Sequence, residues 1–157
     1  MVALANDILH SGPQGLGFLE AGWATGAICG GLFASQLSSA KRMPFYVAAC
    51  AVLAVGHMAT PFVAFLVGAV MMQLLFGFCR ALGGVVAQSS LMSIVPRHFM
   101  GRTQSAMAIL TTVVQLLVSV ALGWVAQGAG LVAGYALLAL LYTGATVSAI
   151  RARQLLG

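Results

Sequence analysis

Apolar residues fill this chain in long unbroken runs, and polar punctuation falls between them at regular intervals. No Lys, Arg, Asp or Glu occurs in residues 21–40, 43–79 or 103–150. A bilayer-crossing helix needs roughly 20 apolar residues. The last of these runs is 48 residues long and holds two crossings with a turn between them. The pattern predicts five helices. The first spans about 14–37, after Gly12-Pro13 and before Ser38-Ser39-Ala40-Lys41-Arg42. Pro44 opens a second over 44–59, because proline lacks a donor and favours a first helical turn. Thr60-Pro61 makes a tight turn into a third helix, 62–95, which stops at Pro96. A fourth spans 103–126, Gln127-Gly128-Ala129-Gly130 turns the chain, and a fifth spans 131–150. The third would be about 51 Å long, well over the roughly 30 Å hydrocarbon core, so it must tilt, project or bend. Gly83-Gly84 is the place for a kink.

Composition agrees. The chain is 61% hydrophobic and 6% charged, against about 25% charged residues in soluble domains. The expected class is an all-α, polytopic membrane protein whose first partner is the lipid bilayer. Seven basic residues stand against two acids, and six of the seven fall in alternate gaps: Lys41/Arg42, Arg97/Arg102 and Arg151/Arg153. By the positive-inside rule these gaps face the cytoplasm. Thr60-Pro61, Gln127–Gly130 and the amino terminus with Asp7 then face outward, in a multi-pass inner (plasma) membrane protein with a cytoplasmic carboxy terminus. Small basic groups at span ends, without interleaved aromatics, are orientation signals and headgroup contacts. Nucleic acid is therefore not an expected partner.

Few residues offer chemistry. Arg80 is the one basic residue inside an apolar run, and an ionisable group within a span is a functional-site hypothesis. Gln73 lies seven residues earlier and projects from nearly the same face, so the two could present a cationic, hydrogen-bonding surface to a central cavity. Against this stands a packing role, with Arg80 snorkelling to headgroups. Glu20, an acid within the first span, could exchange a proton and couple transport to a gradient. It lies only about 9 Å into its helix, where a hydrated outer-end carboxylate is equally natural. Arg80 is about 27 Å along the third helix, so no Glu20–Arg80 pair is expected. His57, with no partner in view, reads as a surface or interface residue. Gly22, Gly26, Gly30 and Ala34 make a small-residue stripe for close helix packing. Cys29, Cys50 and Cys79 have no metal-type spacing, and the eight methionines suit adaptable packing. Metalloprotease, nucleophile-elbow and phosphate-loop motifs are missing, so no enzyme activity, metal or cofactor is expected.

Several stretches resemble a known family. Leu16-Gly17 followed by Gly26-Ala27-Ile28-Cys29-Gly30-Gly31-Leu32 looks like the second helix of a six-helix half in major facilitator superfamily transporters. Ile94-Val95-Pro96-Arg97-His98-Phe99-Met100-Gly101-Arg102-Thr103-Gln104-Ser105 looks like their link between a half's fourth and fifth helices, and Gly123-Trp124 resembles the end of that fifth helix. The helix order agrees over essentially the whole chain. The match is to the carboxy-terminal half, helices eight to twelve, with Met1–His10 as the outer end of a seventh, and it is nearest to the drug and macrolide efflux branches. Two departures stand out. Ser35 replaces the acid of the loop motif after a half's second helix, leaving only Lys41-Arg42 of its basic end. Gln73 stands where first halves often carry an arginine.

The resemblance implies transport of a small-molecule substrate by alternating access, as part of an efflux-like permease and together with a complementary half. Gln73, Arg80 and Glu20 are then the candidate substrate-binding residues. Two other expectations are a truncated or split fragment inactive alone, and a non-transporting membrane scaffold.

Overall fold

The computed structural model describes residues 12–63 and 65–156. Every regular element among them is helical: α1 (Gly12–Ser35), α2 (Ser39–Ala59), α3 (Leu66–Ile94), α4 (Met100–Ala129) and α5 (Leu131–Leu156), with short 3-10 turns at Thr60–Phe62 and Arg97–Phe99. All five helices are long and apolar enough to cross a membrane. The five helices of the described residues are compatible with a multi-pass membrane protein.

Helix boundaries move where local chemistry outweighs the simplest sequence signal. Pro44 does not open α2, which starts at Ser39 and carries Pro44 in its second turn. Ser38 supplies the extended backbone that begins the helix, at φ −63° and ψ 151°, and Ala40-Lys41-Arg42 are all good helix formers. The third helix begins at Leu66 rather than 62, because Pro61 holds a 3-10 turn and Phe65 is extended before the helix. Helical bonding runs through Gly83 and Gly84 without interruption. Helix α4 begins at Met100, taking Gly101-Arg102 into its first turn, and α5 continues through the basic residues to Leu156. The turn between them is Gly130, at φ 85°, where a side chain would be strained.

The packing order across the bundle is α1, α3, α2, α5, α4. Helices α1 and α3 run parallel and touch most intimately. A Cβ at Gly26 would collide with the backbone of Leu74, one at Gly30 with Phe78, and one at Gly77 with Trp23; at Gly22 it would lie 3.0 Å from the Val70 carbonyl oxygen. The expected glycine stripe is thus a backbone-to-backbone seam, with Gly77 completing it from α3. Helix α2 runs antiparallel to α3, with Gly56 against Phe76 and Gly83 beside Tyr46. Ala34, Leu37, Ala49, Leu53, Phe76, Cys79, Leu82 and Val86 form the main core where α1, α2 and α3 meet. Helix α4 packs chiefly on α5, and none of its described residues is buried.

The alternating helix directions bring Lys41, Arg42, Arg97, Arg102 and Arg151 to one end of the bundle. There Arg42 donates to the Leu37 carbonyl (3.4 Å) and to Ser89 Oγ (3.3 Å), tying the ends of α1 and α3 to the start of α2. Asp7, His10 and the rest of the amino-terminal stretch lie outside the described residues.

Candidate functional site

Arg80 is the central residue of α3. Its side chain is exposed and lines two neighbouring cavities, which also share Leu53 and Tyr142. The first, about 210 Å³, is walled by Trp23, His57, Gln73, Phe76, Tyr135 and Leu138. The second, about 480 Å³, lies between α2, α3, α4 and α5, against Tyr46, Cys50, Cys79, Gly83, Gly84, Ala87 and Thr111. The lack of side chains at Gly83 and Gly84 leaves part of that space open. Together the two volumes reach the range of small-molecule sites, about 300–1,000 Å³.

Each polar group at the first cavity has a definite state. A guanidinium within an apolar span is costly and calls for a partner or a hydrated cavity. No ion pair offsets this among the described residues, whose one acid is Glu20. Gln73, one step down the same face, is only 4% exposed, and its Oε1 accepts no hydrogen bond. A buried acceptor left unmatched costs about 1–3 kcal/mol. His57 is fixed by neighbours on three helices. Its Nδ1 donates to the Leu53 carbonyl at 2.6 Å. Its ring stacks on Phe76, centroids 4.5 Å apart and planes within 5°, and on Tyr142 at 5.1 Å. Tyr135 closes a third side at 6.4 Å. Because Nδ1 carries the proton, Nε2 of the neutral ring is an acceptor.

Comparison with known proteins returns nothing: no family model, curated protein or solved structure matches the chain. The resemblance to major facilitator transporters consequently rests on motifs and helix order, and the site rests on its own geometry.

That geometry brings Gln73 and Arg80 together at the first cavity. It sets Glu20 apart. Glu20 is exposed on α1 and lines neither cavity. The seam pairs Gly22 with Val70, Gly26 with Leu74 and Gly30 with Phe78. Glu20 is therefore level with Gly68, about 18 Å of helix rise from Arg80, and the two do not pair. Three other helices add to the first cavity: Trp23 from α1 and Tyr135 and Tyr142 from α5, which sequence reasoning missed, and His57 from α2, which it read as a surface or interface residue without a partner. The seven-residue step from Tyr135 to Tyr142, which puts both on one face, was the available signal. Their convergence on His57 is a tertiary fact with no local signature. Among the described residues no group of three His, Cys, Asp or Glu is placed to hold a metal.

Proposed function

We propose that this chain forms one wall of a membrane permease that moves a small molecule by alternating access, as the resemblance to the carboxy-terminal half of major facilitator transporters implies. A complementary set of helices supplies the opposite wall. In this reading the basic end faces the cytoplasm, the membrane is the inner (plasma) membrane, and the transport is efflux-like.

The observation that carries the proposal is Arg80, a charge at the middle of a long apolar helix with no counter-ion among the described residues, open to two cavities, the first of which also holds a buried, unmatched amide oxygen. A purely structural arginine would be paired or would reach a headgroup layer. Substrate sites in secondary transporters lie near the midplane, and Arg80 is the middle residue of α3. The uncovered α4 adds support, since Thr111, Thr112, Gln115 and Ser119 are exposed along it and polar side chains inside a membrane favour helix neighbours over lipid.

Accumulation of a chemically varied panel of small molecules, in cells with and without the chain, tests the reading. At least one compound is expected to change its steady-state level, and Arg80→Ala at equal membrane abundance is expected to abolish the change. A panel that moves nowhere, or an effect that Arg80→Ala leaves intact while Gly26→Val removes it, would favour the scaffold instead.

A further inference from the structure

Resting on the transporter reading above, we infer that the first cavity selects an organic monoanion, a ring-bearing carboxylate with a hydrogen-bond donor at its far end. The selection follows from what the cavity lacks. Its one permanent charge is the Arg80 guanidinium, and the nearest acid by sequence and by helix register, Glu20, stands well away on α1. In a low-dielectric setting a single cation is best matched by a single negative charge, and the planar guanidinium fork fits a carboxylate edge. A dianion would leave one charge unbalanced, and a cationic ligand would meet like charge.

Donors and acceptors continue the argument. Gln73 Oε1 is buried at the cavity without a donor. His57 spends its Nδ1 proton on Leu53, and in the neutral tautomer of the ring this leaves Nε2 as an acceptor. Both therefore call for an N–H or O–H from the ligand. Gln73 and Arg80 stand two helical turns apart, about 10 Å of rise, which places that donor at the opposite end of the molecule from the carboxylate. Between the two ends the walls are Trp23, Phe76, Tyr135 and Tyr142, surfaces on which a flat ring stacks.

The test uses the full chain in lipid nanodiscs and three probes of one shape: 4-hydroxyphenylacetate, its neutral methyl ester and cationic tyramine. Trp23 quenching reports binding in a Trp124→Phe background, since Trp124 lies on α4, is 79% exposed and lines neither cavity. The anion is expected to bind at least about tenfold more tightly than the ester, as a charge-assisted contact allows, with tyramine weaker still. Arg80→Gln should erase the preference and Arg80→Lys restore part of it, with helicity by circular dichroism unchanged in both. Gln73→Leu should weaken 4-hydroxyphenylacetate but not phenylacetate, which lacks the donor.

Equal binding of ester and anion, tighter binding of tyramine, no binding of any probe, or an Arg80→Gln variant that keeps the preference would each overturn the inference. Transport that depends on Arg80 but moves cations would also sink it and leave the permease intact. Anion binding with no transport would support the inference and refute the permease.

Discussion

At the scale of single residues, glycine positions give the sharpest expectations. Gly26 faces the Leu74 backbone so closely that even a methyl group has no room. Gly26→Ala is expected to cost about 1–3 kcal/mol as overpacking, read as a lowered midpoint in thermal unfolding in detergent. Gly31→Ala, with nothing near its Cβ, should be neutral or slightly stabilising. Arg42 makes a different kind of contact, two long hydrogen bonds across helix ends. Arg42→Met keeps the stem and loses both, at an expected cost of about 1 kcal/mol in the same assay. Much of this was legible in advance. The four-residue spacing of Gly22, Gly26, Gly30 and Ala34 announces a close-packed stripe, and the seven-residue step from Gln73 to Arg80 announces a shared face. The surroundings of His57 were not legible, because a stack on Phe76 and Tyr142 joins residues far apart in sequence and leaves no periodic trace.

At the scale of elements, the spans were visible in charge-free runs, while their ends were not. Long apolar runs fix a crossing because lipid offers the backbone no partners. Ends depend on a few backbone angles, and the strongest cue, Pro44, pointed to the wrong residue. In the second turn of α2 that proline leaves the Ala40 carbonyl without its usual amide donor. Pro44→Ala is therefore expected to raise the unfolding midpoint, and an unchanged or lowered midpoint would mean that the fixed proline backbone matters more there than the missing bond. Helix α4 shows another limit of reading from sequence. Its hydropathy marks it as a span as clearly as the others, yet hydropathy is blind to which helices cover it. Only the packing reveals that it leans on α5 and leaves most of its surface uncovered.

At the scale of the whole molecule, Lys41, Arg42, Arg97, Arg102 and Arg151 share one end of the bundle, and the proposed orientation turns that end to the cytoplasm. Single cysteines beside Lys41, Arg97 and Arg151, in a background freed of Cys29, Cys50 and Cys79, should all resist an impermeant thiol reagent in intact cells and all react after lysis. A split result among the three positions would break the threading. The seam between α1 and α3 governs something else, which parts of the bundle can travel. Two helices in backbone contact over several turns have little freedom to glide or part, so they behave as one strut, and displacement is left chiefly to the loosely held α4, since α5 is itself packed along α2. Spin labels on α1 and α3 should keep a fixed separation under every condition that populates a new state, while a label on α4 changes its distance from both.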